Sequence, residues 1–440
     1  GMNGFVGKIL RVDLTGKKIS TIDTRKYEHW GGAHGIGSAL FWDLVPDKTI
    51  DGFDSKNIVT IMTSPLSGTL VPGSAARTEV QGIGVQSSPI GWFTRSNFGG
   101  RFSPMLKFAG WDGIVIEGSA SDPVWLDIRD DHVHLRDGRE LWGKDTWETQ
   151  HYICNEVGQD ERYSGWEDSL GKQSKSTQKP AVIAIGLAGE NLCRVASLVH
   201  DAGHGSGQGG FGAVWGSKKL KAISVMGTGS IAVANPQELM EARLWAKNSY
   251  SFNIDDPEHV KEINSATFNL GFDSPAMPGS LWHRPKESRP HACIGCHSSC
   301  RSRHGTGLGN ESTCASSLMY APFDVRRHSG KLTRTLFSLL DRSGQKGATF
   351  GLALTIGKQS PAAYAASDLI QKYGINSVEV MVGLQYLQKL YNKGIIGPGK
   401  QIECDLPFDQ IGSMDFANRL IEMIAYREGI GDDMAEGFYR

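Results

Sequence analysis

The stretch Cys293-Ile-Gly-Cys296-His-Ser-Ser-Cys300, followed by Cys314, indicates that the fold of this chain is built around a bound metal centre. Four of the seven cysteines fall between residues 293 and 314. Three thiols separated by two and then three residues suit a metal ion or an iron–sulfur cluster, because the intervening backbone can direct all three sulfurs at one centre. A structural zinc site is an alternative on spacing alone, since His304 would complete a Cys3His set.

The order of the two spacings, two residues between Cys293 and Cys296 and three between Cys296 and Cys300, argues against one further kind of cluster. A radical S-adenosylmethionine cluster has the three-residue gap first and lies near the N-terminus, which is the reverse of the arrangement here. We therefore expect a [4Fe–4S] cluster on Cys293, Cys296 and Cys300, with a fourth ligand distant in sequence. Cys314 is a separate case. A lone cysteine is most often a buried thiol, and its functional alternative is a thiolate ligand to a second metal.

Length and composition restrict the class of protein. The 440 residues exceed one ordinary core and predict at least two domains. A net charge of −1 gives no basic surplus for binding nucleic acid. The clustered cysteines favour a reducing cytosol over a disulfide scaffold, and no apolar run predicts a signal peptide or a membrane span. The chain stops on a helix-like segment with no closing element, as a fragment of a longer protein would.

The pattern of apolar residues predicts an α+β fold. Strand patterns and glycine loops dominate to about residue 230, beginning with a hairpin of Lys8–Leu14 and Lys18–Ile22. Helical spacing begins at Pro236, with Asn235 as its N-cap, and continues through Pro361–Tyr373 and Ser377–Lys393. We therefore expect a β-rich domain over residues 1–230 and a mainly helical domain over residues 231–440 that carries the cysteine motif.

Glycine is frequent, with 55 residues, and it clusters in loops that could bring backbone close to a ligand. Gly205-Ser-Gly-Gln-Gly-Gly210 formally matches the dinucleotide fingerprint but fails on context, because no useful helix and no acidic residue follow it. Together with loops 97–101 and 186–191 it offers many backbone N–H groups to an extended phosphorylated ligand. Three cations would add charge-assisted contacts to that ligand: Arg77, Arg101 and Lys107. Plain tight turns are the alternative explanation for each loop.

Several longer stretches resemble the aldehyde:ferredoxin oxidoreductase family of tungsten or molybdenum pterin enzymes, and they occur in the order found in that family. They are Gly7–Leu14, Ser64–Thr69, Leu106–Asp112, Ile185–Asn191, Gly210–Ile223 and the cysteine trio. The resemblance implies two pterin dithiolenes holding one metal on a β-rich base domain, here residues 1–230, with Mg²⁺ bridging the pterin phosphates. It also implies a [4Fe–4S] cluster close by and helical domains that close over the cofactor.

The resemblance also implies roles for individual residues. Those in pterin-contacting loops are Arg77, Asn97, Gly99, Gly100, Gly207, Gly209 and Gly210, and the cluster ligands are Cys293, Cys296 and Cys300. The implied function is oxidation of an aldehyde to a carboxylate, with electrons passed to ferredoxin or an iron–sulfur subunit in the cytoplasm. Assembly into a homo- or hetero-oligomer is expected. Glu311 is our choice of general base.

Three departures from the family pattern qualify these expectations. The family's fourth cluster cysteine lies in a C-terminal helical domain that this chain is expected to lack, and Cys404 is no obvious substitute. The arginine usual in the second glycine loop is Gln208, and an acidic pterin-binding pattern reads Lys372-Tyr-Gly-Ile-Asn376. A cysteine at position 314, after a run of glycines, resembles the arrangement in the tungsten subunit of class II benzoyl-CoA reductase. There the thiolate would bind the metal directly. An aryl-CoA reductase and a non-catalytic paralogue that retains the fold are therefore alternatives.

Overall fold

The computed structural model describes residues 2–86, 91–160, 162, 179–250, 289–296, 301–304, 310–312, 361–411 and 413–437. Within these residues the chain has a mixed α+β fold whose N-terminal part is built on two six-stranded sheets. In the same residues, every helix is too short or too polar to cross a bilayer.

The first sheet forms around the predicted N-terminal hairpin, which is confirmed. Its strands are β1 (Lys8–Asp13), β2 (Lys18–Asp23), β3 (Val59–Met62), β4 (Thr78–Ile83), β5 (Phe93–Phe98) and β6 (Gly113–Glu117), in the order β2-β1-β6-β3-β4-β5. All neighbours are antiparallel except β1 and β6. Helix α1 (Ala33–Leu44) covers one face and buries Ile36 and Leu40 against Met62 and Val115. This leaves the other face for the main core.

The second sheet packs with the first through that main core. Its strands are β7 (Val124–Arg129), β8 (His132–Asp137), β9 (Ala181–Ala184), β10 (Leu198–His200), β11 (His204–Ser206) and β12 (Leu220–Met226), in the order β11-β10-β9-β12-β7-β8. Helix α2 (Phe102–Phe108) lies against β9 and β12, while α3 (Thr146–Gly158), α4 (Leu187–Glu190) and α5 (Phe211–Ser217) complete this part. Ser206 Oγ donates to Ser96 Oγ at 2.7 Å. The edge strands β11 and β5 therefore lie side by side, and this contact places the site.

The described residues after position 231 are mainly helical. The helices are α6 (Pro236–Tyr250), α7 (Pro361–Tyr373), α8 (Ser377–Asn392), α9 (Met414–Ala425) and α10 (Ile430–Ala435). The Asn235 side chain accepts from the Glu238 amide, which confirms the predicted N-cap. A small sheet of β13 (Arg289–His291), β14 (Arg301–His304) and β15 (Asn310–Ser312) was not predicted. The domain boundary at residue 230 stays a prediction.

Amphipathic spacing anchors these helices to the second sheet. Helix α9 buries Phe416, Leu420 and Ile424 at four-residue intervals, on one stripe of the helix. Ser413 accepts from the Phe416 amide at 3.1 Å and caps its start. Each such apolar side chain contributes roughly 1.5–3 kcal/mol when fully buried. The helices therefore share one core with residues such as Ile185 of the sheet region.

Candidate metal and cofactor centre

The ends of β4 and β5 bring three of the predicted site residues together. Arg77 precedes β4, and its guanidinium donates to the side-chain oxygen of Asn97 in β5. Gly99 follows β5, and a Cβ built on it would lie 3.1 Å from Arg77 Nη1. The same Cβ would lie 2.6 Å from Cys293 Sγ, closer than real contacts allow. The chain therefore needs a residue without a side chain at position 99.

The first two cysteines of the trio lie on a turn that packs against this loop. The Gly100 amide donates to Cys293 Sγ at 3.2 Å, and the Ile294 amide donates to the Gly100 carbonyl at 3.0 Å. The turn closes with the Cys296 amide donating to the Cys293 carbonyl at 3.1 Å, which requires the positive φ of +78° at Gly295. Both cysteines are half-buried. Two thiols therefore lie on one tight turn at the end of the first sheet.

The imidazole of His200 lies behind this loop, and the sequence analysis did not identify it. It is fully buried at the end of β10, with His204 nearby at 5.7 Å between ring centroids. His200 Nε2 accepts from the Arg101 amide at 3.1 Å. The available signal was the pair of histidines that bracket the short Asp201-Ala-Gly turn in an otherwise apolar stretch.

Two of the three cations predicted to contact a phosphorylated ligand, Arg101 and Lys107, instead bind groups within the protein. Arg101 donates twice to Asp201, at 2.9 Å each, and also to the carbonyls of Lys179 and Pro180. Lys107 is fully buried and pairs with Asp112 at 3.1 Å. Burial lowers the pKa of Lys107, while the neighbouring Asp112 carboxylate opposes that shift. The prediction for Lys107 is wrong, because its ammonium cannot reach a ligand.

The second glycine loop joins β11 to α5, and its three predicted residues differ in their surroundings. The Gly209 amide donates to Gln86 Oε1 at 2.8 Å, and Gly210 is the N-cap residue before α5, at a φ of +71°. Tight-turn geometry therefore accounts for Gly209 and Gly210. A Cβ on Gly207 would meet nothing nearer than Asn376, at 3.8 Å. Gly207 consequently has room beside it for a ligand. The helix α5 that follows was not predicted, and at seven residues it is short.

The junction of α7 and α8 lies against the same loop. Asn376 Oδ1 accepts from the Val378 and Glu379 amides and caps α8, and the Asn376 amide donates to the Val195 carbonyl at 2.8 Å. Gln86 Nε2 donates to Glu379 Oε1 at 2.8 Å, which extends the contact. The segment Lys372–Asn376, where the family pattern has acidic residues, therefore lies next to Gly207. Asn376 places a side-chain amide where that pattern has a carboxylate.

Several predicted residues cannot be placed against this centre. Cys300 and Cys314 lie outside the described residues. Glu311 is on β15, opposite Arg303 of β14, and helix α7 lies against that strand. Among the residues that the structure does describe, no group of three or more His, Cys, Asp or Glu side chains is gathered as a metal site.

The residues that are placed fit the implied groups. Cys293 and Cys296 supply two soft sulfur donors on one turn, which suits iron in a cluster. A backbone N–H already points at one of the sulfurs, as cluster ligands require. The Gly99–Gly100 loop and Gly207 offer backbone without side chains beside Arg77, which suits a phosphorylated cofactor.

Sequence comparisons identify the family to which the chain is similar. The sequence model of the aldehyde ferredoxin oxidoreductase N-terminal domain matches residues 9–227, and that of domains 2 and 3 of the same family matches residues 216–440. The tungsten-containing aldehyde ferredoxin oxidoreductase of Pyrococcus furiosus is 30% identical over the whole chain, and that of Thermococcus kodakarensis is 28% identical. A WOR-like subunit of an aliphatic sulfonate oxidoreductase from P. furiosus is 27% identical.

A solved structure shares the fold. A chain of the active-site complex BamBC of benzoyl coenzyme A reductase, determined with 1,5-dienoyl-CoA, matches 99% of this chain with a TM-score of 0.70 and 23% identity. The chain spans 67% of the length of the curated relatives and 62% of that structure's chain.

The matched family models and the named relatives are those of tungsten-containing oxidoreductases. The chain belongs to the aldehyde ferredoxin oxidoreductase family. One expectation needs correction, because the family's domains 2 and 3 match residues 216–440. The expectation that the family's C-terminal helical domain is missing from this chain finds no support.

Proposed function

We propose that this chain is a tungsten or molybdenum bis-pterin oxidoreductase of the cytoplasm that oxidises an aldehyde to a carboxylate. The reaction consumes one aldehyde and one water and releases a carboxylate, three protons and two electrons. The electrons leave singly to ferredoxin or to an iron–sulfur subunit of an oligomer. The observation that carries the proposal is the Cys293–Cys296 turn seated on the Gly99–Gly100 loop, with Gly100 N donating to Cys293 Sγ at 3.2 Å.

The bound pterin metal supplies the two-electron chemistry, and a [4Fe–4S] cluster supplies the single-electron steps. The chain's own residues hold and orient these groups. Cys293, Cys296 and Cys300 would hold the cluster, and the backbone of Gly99, Gly100, Gly207, Gly209 and Gly210 would lie along the pterins. Arg77, fixed by Asn97, would offer a guanidinium to anionic oxygens, including phosphates that share a Mg²⁺ ion. Glu311 would take a proton from the substrate water.

Metal analysis after anaerobic purification tests the proposal. We expect about four irons and about one tungsten or molybdenum per chain, the stoichiometry of one cluster and one mononuclear site. One zinc without iron would instead identify the structural zinc alternative, and a chain with no metal would be the non-catalytic paralogue. Reduction of a viologen dye by added aldehydes then measures the reaction itself.

An aryl-CoA reductase subunit is the second candidate, and Cys314 is the observation in its favour. A thiolate there would bind the metal directly and change its chemistry. In this case electrons flow from the iron–sulfur partner to an aromatic thioester. Reduced viologen should then be consumed on addition of an aryl-CoA, and aldehydes should give no dye reduction.

A further inference from the structure

The loop that holds the Cys293 turn is itself held from behind by one buried side chain, His200. A chain of hydrogen bonds runs from the second sheet to the sulfur. His200 Nδ1 lies 2.9 Å from the Val182 carbonyl oxygen of β9, and His200 Nε2 lies 3.1 Å from the Arg101 amide. The preceding amide, that of Gly100, points at Cys293 Sγ at 3.2 Å. The imidazole and the sulfur therefore bind adjacent N–H groups of one loop.

The partners of the imidazole define its tautomer. A carbonyl oxygen can only accept, so Nδ1 carries the hydrogen and donates to Val182. The Arg101 amide can only donate, so Nε2 is the acceptor. Asp201 Oδ2 lies 3.4 Å from the same Nε2, but both oxygens of that carboxylate accept from the Arg101 guanidinium. His200 thus acts through its neutral form, as a fixed acceptor on one side and a fixed donor on the other.

Packing prevents the imidazole from turning away. His200 is fully buried, with ring centroids 5.8 Å from Phe98 and 6.1 Å from Phe102. The loop is as close as it can be, since a Cβ on Gly100 would lie 2.7 Å from His200 Nε2. The position of the Gly100 N–H is therefore determined by the imidazole behind it.

We propose that His200 is a positioning residue for the cluster, which holds the Gly100 N–H against the sulfur of Cys293 and so sets the reduction potential. The proposal rests on the proposed function, in which Cys293 is a cluster ligand. Hydrogen bonds to the sulfurs are one of the factors that set the reduction potential of an iron–sulfur cluster. An N–H directed at a thiolate stabilises the additional negative charge of the reduced cluster, so it moves the potential upward.

Two substitutions separate the two hydrogen bonds of the imidazole. His200→Gln places an amide oxygen near the position of Nε2 and keeps an acceptor for Arg101. His200→Asn places an amide nitrogen near Nδ1, which keeps the donor to Val182 and loses that acceptor. Both proteins are purified anaerobically as the full chain. Iron per chain is measured first, and the midpoint potential of the cluster is then measured by a redox titration followed by electron paramagnetic resonance.

We expect wild-type iron content in both variants, a midpoint potential near wild type in His200→Gln, and a more negative one in His200→Asn. Equal potentials in all three proteins would overturn the positioning role while leaving the cluster assignment intact. Wild-type protein without iron would overturn the proposed function, and this inference with it.

A second measurement needs no variant that might fail to fold. Wild-type protein labelled with ¹⁵N-glycine should show a glycine amide nitrogen coupled to the reduced cluster in pulsed electron paramagnetic resonance. A cluster without such a coupling would mean that the Gly100 N–H does not contact its sulfur, which also overturns the proposal.

Discussion

The backbone N–H of Gly100 and the sulfur of Cys293 are 193 positions apart in sequence and form a hydrogen bond of 3.2 Å. The contact is reciprocal in direction, since the Ile294 amide donates to the Gly100 carbonyl at 3.0 Å. A loop of the first sheet and the turn of the cysteine motif thus supply hydrogen-bond partners to each other. Any side chain or shift that separates them disturbs both loops at once.

Replacing Gly99 with alanine tests how closely the two loops must approach. The new Cβ would lie 2.6 Å from Cys293 Sγ, so the sulfur or the loop has to move. We expect a loss of bound iron and a decrease of about 1–3 kcal/mol in the free energy of unfolding, as for other overpacked sites. Iron per chain and urea denaturation measure the two effects.

The matched control is Gly158→Ala. Gly158 ends helix α3, and a Cβ there meets nothing within 4 Å. This variant should bind iron like the wild type. Equal iron in Gly99→Ala and Gly158→Ala would mean that Cys293 is not held where the structure places it.

The cysteines of the turn should differ from the remaining cysteines in their effect on the cluster. Cys293→Ser and Cys296→Ser each remove a soft donor, and we expect most of the iron to be lost. Cys404 is buried, and burial raises the pKa of its thiol, which disfavours the thiolate that binds metal. Cys404→Ser should therefore keep its iron. Loss of iron in that variant would make Cys404 the missing fourth ligand.

The sequence was sufficient for elements with strong local patterns. Helix α7 was predicted at Pro361–Tyr373, as observed, and the N-terminal hairpin pairs as expected. Capping residues and turn glycines report such boundaries directly. Strands β4 and β5 were missed, although Arg77 lies directly before β4 and Asn97 lies in β5, because their polar and apolar residues alternate poorly. Their strand conformation depends on pairing with each other and with β3, which is long-range information.

The same limit applied within the site. Glycine loops and cysteines identified the region, because their residue types are unusual wherever they lie. Nothing local distinguished Lys107, which is buried with Asp112, from a cation that faces a ligand. His200 was missed for the corresponding reason, since its role depends on an amide 99 positions away.

Cys314 is the residue whose role would decide between the two candidate reactions. We predict that Cys314→Ser changes the sulfur shell of the tungsten in X-ray absorption at the metal edge, with iron content unchanged. A direct thiolate ligand contributes one more sulfur than the pterin dithiolenes supply. An unchanged sulfur shell would remove Cys314 from the metal and favour aldehyde oxidation. Cys193→Ser is a suitable comparison, because burial raises the pKa of that thiol to about 12.

Asp368 of helix α7 should make the stability of the protein depend on pH. Burial raises the pKa of its carboxyl from 3.8 to about 7, and the nearby Lys372 ammonium opposes this shift. Between about pH 4 and pH 7 the folded protein keeps a proton that the unfolded chain releases, so the free energy of unfolding falls as the pH rises. Three pKa units correspond to at most about 4 kcal/mol.

Replacing this carboxyl with a neutral amide should remove that loss of stability. We expect Asp368→Asn to raise the free energy of unfolding at pH 8, with little change near pH 4, where the folded carboxyl of the wild type is protonated and the unfolded one is only partly ionised. Urea denaturation at the two pH values measures the difference. Asp131→Asn, at a side chain that is 73% exposed, is the control and should change neither value appreciably. If Asp368→Asn gave the same change in stability at pH 4 and pH 8, the carboxyl would not be titrating in this window, and its burial on α7 would have no electrostatic cost at neutral pH.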